Sequence, residues 1–398
     1  MEAIVNGPSI YFIGILIGIA LGIAYLFITL LCKVFPCYRN KTLKSFFWLI
    51  NIIAVGGIIL TRGKLDVFPF QGLLSKITIL WFMGQLIGLF MLPFYHGIKR
   101  VYLRNLLKEN DAIDLSRRKF IQGAAVSLPI ISFGLSGYGT FLGGEKVEFL
   151  EYDILIKNLD VQNDGLKIGQ ISDAHIGLFF SVEKLSQILE LLYKKGADVV
   201  VITGDLIDDV KMIDALIEVL NGYISKFRYG IYFSWGNHEY FRDFPKLETA
   251  FQHSEVKVLR NKNALLINSE KPVYLLGIDY PWSETANEQI VKSKEMLDLA
   301  LLGVTENSTK ILLSHHPVVI DYAYEKNIDL TLTGHTHGGQ VAIGRQPLLP
   351  VRYKYMRGMY QKEQMYGYVS TGAGSWFPFR LGCPAEISLF TLKVLSDS

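Results

Sequence analysis

The chain has 398 residues, 40 Lys and Arg against 37 Asp and Glu, and is 50 % hydrophobic. Charged residues make up 19 %, below the roughly 25 % of soluble domains, so an ordinary soluble protein is excluded unless a membrane or a very large core takes up the apolar surplus. Residues 1–144 carry 14 Lys and Arg against 5 Asp and Glu and the remainder 26 against 32, an acidic balance that argues against a nucleic-acid-binding second half.

In chain order, four uncharged apolar stretches come first: Ile10–Cys32, Ser45–Thr61, Ile77–Tyr95 and Phe120–Leu142. A helix needs about 20 apolar residues to cross the hydrocarbon core. The first and third stretches fit well, the second is short, and the fourth is interrupted by Pro129 and several Ser and Gly. Basic residues set the expected orientation. Lys33, Arg39, Lys41 and Lys44 follow the first stretch. Lys99, Arg100, Arg104, Lys108, Arg117, Arg118 and Lys119 precede the fourth. The loop between the second and third holds Arg62, Lys64 and Lys76 with Asp66. Both richly basic loops should be cytoplasmic, which puts the N-terminus and the large C-terminal part on the extracytoplasmic side. Ser116–Ile121 (Ser-Arg-Arg-Lys-Phe-Ile) is similar to a twin-arginine export signal, although a basic membrane flank explains it as simply; either reading places the C-terminal part outside. Cys32, Cys37 and Cys383 show no paired spacing of a zinc cage or disulfide framework.

From residue 145 onward, short β-branched runs alternate with helical patterns. Strands are expected at Leu166–Ile171, Asp198–Thr203, Ile231–Trp235, Val273–Ile278, Lys310–Ser314, Asp329–Thr333, Val341–Ile343, Gly367–Thr371 and Glu386–Leu392. Glu183–Lys195, with apolar Leu185, Ile188, Leu189 and Leu192, and Met212–Phe227 read as helices. The pattern is α/β.

Five clusters of metal-ligand type stand just after these strands: Asp173-Ala174-His175, Gly204-Asp205 with Asp208, Gly236-Asn237-His238-Glu239, His315-His316, and Gly334-His335-Thr336-His337-Gly338. Of eight His in the chain, only His96 and His253 lie elsewhere. Asp-x-His or Gly-Asp alone usually marks a turn. Two His at alternate positions between glycines point to a loop that wraps closely round something. Together, on successive strand ends, the clusters fall where ligands bind in α/β sheets. Imidazole and carboxylate suit Mn, Fe or Zn. Two such ions, bridged by a carboxylate, lower the pKa of a shared water and neutralise phosphoryl charge during in-line displacement, while a nearby His protonates the leaving group.

This order of motifs resembles the calcineurin-like metallophosphoesterase superfamily over roughly Leu166–Leu392. The His-Thr-His-Gly-Gly-Gln ending, with Gly372-Ala373-Gly374 and Pro384-Ala385-Glu386-Ile387, looks most like a membrane-associated bacterial subgroup. The resemblance implies a four-layer α/β/β/α sandwich following the helical transmembrane region. It implies one divalent metal held by Asp173, His175, Asp205 and His337. A second, bridged by Asp205, would be completed by Asn237, His315 and His335. His238 would face the scissile phosphate and Asp208 would orient it. Glu239 would support its loop by hydrogen bonding, and of the adjacent pair His315 rather than His316 would be the ligand.

The expected activity is hydrolysis of a phosphoester by metal-activated hydroxide, with a lipid-linked phosphodiester or pyrophosphate as substrate. Phe179, Phe180, Tyr240, Phe241, Trp376, Phe377 and Phe379 supply an apolar rim, each with core packing as its plain alternative. Arg345, Arg352, Arg357 and above all Arg380 are candidates to hold a second phosphate or a carboxylate. The competing expectations are a cytoplasm-facing pyrophosphatase of a nucleotide-linked lipid precursor, a transporter or channel subunit, and a non-catalytic metal- or phosphate-binding receptor domain. The absence of intramembrane charge speaks against the transporter.

Overall fold

The structure, a computed structural model, describes residues 10–62, 70–106, 115–343, 346–348 and 353–395. It divides into two compact units, Met1–Leu142 and Gly143–Ser398.

The first unit is helical: α1 (Ile10–Val34), α2 (Lys41–Arg62), α3 (Gln71–Leu106) and α4 (Leu115–Phe141). Each contains a span long and apolar enough to cross a membrane: Ile13–Val34, Lys41–Leu60, Gln71–Ile98 and Gln122–Phe141. α2 and α3 run beyond the expected 45–61 and 77–95. The added ends carry Lys and Arg, good helix formers that a hydropathy reading discards. Lys64, Asp66 and Lys108 lie outside the described residues. Ala24, Phe27 and Leu31 of α1, Phe47 of α2, Leu92 of α3 and Leu128 of α4 form the buried centre. Gly84 and Gly88, one turn apart on α3, leave room for Phe133 of α4 and Phe27 of α1. Inside the bundle Gln85 Nε2 donates to Asn51 Oδ1 at 3.2 Å, and Asn51 Nδ2 donates to the Phe47 carbonyl at 2.8 Å. The first of these bonds ties α3 to α2.

The second unit contains β1 (Val147–Ile156), β2 (Lys167–Ile171), β3 (Val199–Thr203), β4 (Ile231–Ser234), β5 (Lys257–Val258), β6 (Lys262–Ile267) and β7 (Val273–Gly277). β8 (Thr309–Leu313), β9 (Leu330–Thr333), β10 (Ala342–Ile343), β11 (Gln346–Pro347), β12 (Gly358–Lys362), β13 (Met365–Val369) and β14 (Ala385–Val394) follow. Its helices are α5 (Val182–Lys194), α6 (Ile213–Ile224), α7 (Asn237–Tyr240), α8 (Phe244–Gln252), α9 (Ala286–Ala300) and α10 (Ile320–Glu325). One six-stranded sheet runs β1-β14-β2-β3-β4-β5 and the other β12-β13-β9-β8-β7-β6.

Side-chain alternation along the strands builds four layers, α/β/β/α, as expected. Val199 and Val201 of β3 pack with Ile311 and Leu313 of β8 and Leu330 and Leu332 of β9 between the sheets. Their neighbours Val200 and Ile202 turn the other way, onto Leu185, Ile188, Leu189 and Leu192 of α5 and Leu216 and Leu220 of α6. Leu276 and Leu312 pack on Leu297 of α9. α5 starts where Ser181 accepts the Lys184 N–H at 3.2 Å and ends at Gly196, whose φ of +76° suits glycine.

The expected strand at 341–343 is β10, Ala342–Ile343, which pairs antiparallel with Gln346–Pro347 apart from the two large sheets. The expected strand at 367–371 is β13, Met365–Val369, because Ser370 onward turns toward the site.

Opposite the strands' carboxyl ends, Asp198 accepts the Lys167 N–H and Asp329 the Lys310 N–H, each at 2.8 Å. Burial pushes the Asp329 carboxyl up to about 6 from 3.8, with Lys310 only partly offsetting it. The folded state is therefore penalised for ionising it: the penalty is absent below about pH 4, grows as pH rises, and is complete above about 6. Asp329→Asn should raise the thermal stability of the solubilised chain at pH 8, by at most about 3 kcal/mol at roughly 1.4 kcal/mol per pKa unit, and lose that advantage at pH 4. An advantage equal at both pH values would contradict this.

Candidate metal centre

Every expected site residue lies just after a strand of the central sheets. Asp173 and His175 follow β2, Asp205 and Asp208 follow β3, and Asn237 and His238 follow β4; His315 follows β8, and His335 and His337 follow β9. The two sheets therefore deliver their loops to one crevice. Among the described non-glycine residues nine have positive φ, and five of these are Asp173 (51°), His175 (51°), Asp205 (51°), His335 (71°) and His337 (48°). Left-handed backbone costs an ordinary residue about 1 kcal/mol or more, and its concentration here marks a site rather than loose turns. Gly236 and Gly334 allow close approaches: a Cβ on Gly236 would collide with Asp205, and one on Gly334 with Ser172 and Asp173.

The donor atoms converge. His175 Nε2 lies 3.2 Å from His337 Nε2, and His337 Nε2 is 3.6 Å from Asp173 Oδ1. On the other side His335 Nδ1 is 3.0 Å from Asn237 Oδ1 and 3.2 Å from His315 Nε2. Asp205 Oδ2 stands between, 3.1 Å from His315 Nε2 and 3.7 Å from His175 Nε2. Asp173-His175-His337 and Asp205-His315-His335 each bring their ligand atoms within 4.8 Å of one another.

The outer nitrogens explain why the inner ones remain available. His315 Nδ1 donates to the Thr203 carbonyl at 2.8 Å, which turns Nε2 toward Asp205. His175 Nδ1 faces Asp208 Oδ2 at 3.2 Å, and His238 Nδ1 faces Asp208 Oδ1 at 2.7 Å. One carboxylate thus orients two imidazoles, and Arg242 Nη2, 2.9 Å from Asp208 Oδ1, fixes the carboxylate. The inward set is imidazole, carboxylate and amide oxygen, which fits first-row divalent ions.

Electrostatics point the same way. Burial drives the Asp205 carboxyl upward, but His315, His238 and His175 outweigh it and hold the group well below the usual carboxylate range. Burial and the charge of Asp205 raise Asp173, although His315 and His175 partly counter them. Burial favours neutral His315, yet Asp205 and Asp173 hold its pKa at about 10. In His335 and His337 burial dominates and lowers the pKa. Two carboxylates buried side by side are a cation-binding environment.

The support shell corrects and extends the sequence reading. Glu239 holds the loops as expected: its carboxylate accepts the backbone N–H groups of Asp205, Leu206, Ile207 and Gly236 at 2.6 to 3.3 Å. His316 turns from the donor set, with Nδ1 accepting the Val318 N–H at 3.1 Å and burial lowering its pKa to about 3. Arg380 does not face a substrate; it is buried at 2 % exposure and donates to carbonyls. Arg357 Nη1 donates to the Gly382 carbonyl at 2.9 Å. Arg345 and Arg352 lie outside the described residues. Phe180 and Phe379 are buried, and Tyr240 stacks on Phe244 with its hydroxyl on Asp279. Phe241 and Trp376 do flank His238, with ring centroids 5.7 and 6.1 Å away. Sequence reasoning missed Tyr280, Trp282 and Tyr353. Tyr280 packs 5.7 Å from the His335 ring, Trp282 5.4 Å from Phe241, and Tyr353 5.0 Å from His316. Tyr280 and Trp282 follow β7, a strand end without a ligand motif, so aromatic residues there were the only signal.

Residues 166–339 match the family model of the calcineurin-like phosphoesterases. An uncharacterized metallophosphoesterase of Campylobacter jejuni is 32 % identical over 250 residues, 60 % of this chain and 63 % of that protein. One from Helicobacter pylori is 24 % identical over 366 residues, 90 % of this chain and 92 % of its own length. A Danio rerio protein described as a transmembrane protein with metallophosphoesterase domain is 30 % identical over 278 residues, 66 % of this chain and 61 % of its length. The chain therefore spans under two thirds of the Campylobacter and Danio proteins. Motif order, converging donors and the matched segment agree: residues 166–339 are similar to the calcineurin-like phosphoesterases, and the donor groups they carry could hold metal ions.

Proposed function

We propose that this chain is a membrane-anchored hydrolase that cleaves a phosphoester at a pair of divalent ions. The observation that carries the reading is the place of Asp205 Oδ2 between two donor groups, 3.1 Å from His315 Nε2 and 3.7 Å from His175 Nε2. Asp173, His175 and His337 would hold the first ion, Asn237, His315 and His335 the second, and Asp205 both. When bound, such a pair lowers the pKa of a shared water and neutralises charge on the phosphoryl oxygens; Mn, Fe and Zn all suit these donors.

The protein's own part is positional and acid–base. Asp208 fixes His238 through Nδ1, so that Nε2 turns toward Asp205 at 4.0 Å. Burial would raise Asp208, but His175 and His238 hold its pKa well down, so it stays charged and accepts from His238 Nδ1. His238 Nε2–H is then placed to protonate the leaving oxygen.

The rim supports an apolar organic group on the substrate. Trp282, Tyr353 and Trp376 are 37 to 41 % exposed. With four membrane-type helices in the same chain, this favours a lipid-linked phosphodiester or pyrophosphate. The alternating basic loops favour an extracytoplasmic catalytic unit, residues 145–398. A reporter fused after Ser398 should be active only outside; activity inside would favour the nucleotide-linked precursor reading.

The full chain with Mn²⁺ should hydrolyse a chromogenic phosphodiester. His238→Ala should lower kcat at least about 100-fold with bound-ion content unchanged, whereas Asp205→Asn should lose bound ions as well. Ion binding without hydrolysis would instead support the receptor reading. On a lipid phosphodiester in mixed micelles, Trp376→Ala and Phe241→Ala should raise KM several-fold, while KM for a small soluble diester stays within about twofold. Equal rates on both substrates, indifferent to micelles, would remove the lipid assignment.

A further inference from the structure

Arg380 is a fully buried cation whose hydrogen bonds go to carbonyl oxygens rather than carboxylates. Nη2 donates to the carbonyls of Gly374 at 2.6 Å and Thr371 at 2.7 Å, with Gly372 at 3.2 Å, and Nη1 to those of Cys383 and Pro384, each at 3.2 Å. Gly144 closes over its stem: a Cβ there would stand 3.4 Å from Arg380 Cδ. The side chain thus joins the segment 371–374 to the turn at 383–384.

The first of these segments lies directly on the metal centre. Ala373 N donates to the Ser172 carbonyl at 2.8 Å and Gly374 N to the Asp173 carbonyl at 2.9 Å. Gly372, at φ +83°, is so close that a Cβ would come within 2.7 Å of Asp173 Cβ and 3.2 Å of His337 Nδ1. Arg380 Nη2 is itself 3.1 Å from His337 Nδ1. Asp173 and His337 come from different sheets, so their spacing depends on what lies behind them.

We propose that Arg380 is a positioning residue for the first ion site: it clamps the 371–374 backbone behind Asp173 and His337, sets the spacing of these two ligands, and never meets the substrate. The proposal rests on the two-ion reading above. A planar fork suits this place, because Nη1 and Nη2 hold carbonyl groups in different directions at once, whereas the three donors of Lys radiate from a single nitrogen.

The test uses the detergent-solubilised full chain with Arg380→Lys and Arg380→Met. Ion content at limiting Mn²⁺, the electron paramagnetic resonance of the bound ions, and kcat and KM on the chromogenic diester are measured together. Both variants should bind one ion about 10–100-fold more weakly. The spin-coupled pair signal should give way to an isolated Mn²⁺ signal, and kcat should fall with occupancy while KM stays within about twofold. Wild-type ion affinity in both variants would overturn the proposal. So would a raised KM with both ions retained, which is the signature of a substrate-binding arginine. Unfolding of both variants would show a general scaffold role and overturn it as well. A wild type that binds a single ion would remove the two-ion reading, yet loss of that ion's affinity in the variants would still support the role of Arg380.

Discussion

Everything at this centre depends on burying carboxylates next to one another and stopping them from repelling. Asp173 and Asp205 are both buried, and their pKa values are driven in opposite directions. The protein tolerates this by surrounding them with imidazoles and backbone N–H groups, none of which fully neutralises two adjacent negative charges. A cation does so directly. The four N–H groups gathered by Glu239, the carbonyl anchor of His315 and the doubly used Asp208 are best understood as devices that hold the donors in place while that charge is unbalanced.

The candidate clusters were legible because they stand at the ends of buried β-branched strands, where a polar residue has little structural purpose. The four layers were implied by the resemblance, and the structure builds them by alternation: Val199 and Val201 on one face, Val200 and Ile202 on the other. What escaped the sequence lies at the edges. β1 carries Glu148, Glu151 and Asp153 among its apolar residues, which blurs its period. α9 shows a weak apolar stripe and buries only Ser293, Leu297 and Ala300. Arg380 was misread for a physical reason: an arginine among aromatics looks like a ligand hook, and nothing in the order of residues says whether a guanidinium turns outward or into a nest of carbonyls.

In the proposed membrane setting the helical unit obeys a different rule. In hydrocarbon there is little gain from merely burying apolar side chains, so association relies on close approach and on polar groups that pair internally. Gly84, Gly88 and the Asn51–Gln85 bond supply both. These residues are consistent with an anchor held together by packing, and they make no charged path across it.

The proposed ligands are shared between sheets: β2, β3 and β4 contribute from one, β8 and β9 from the other. A cation gripped by both would act as a rivet through the sandwich, gained only when the two halves are assembled. Ion supply would then govern how long the folded enzyme survives as well as how fast it works, because an emptied rivet hole removes one tie between the halves and leaves the apolar core and bonds such as Gln170 Nε2 to the Thr333 carbonyl. In a metal-poor cell, loss of the protein to proteolysis would accompany loss of turnover.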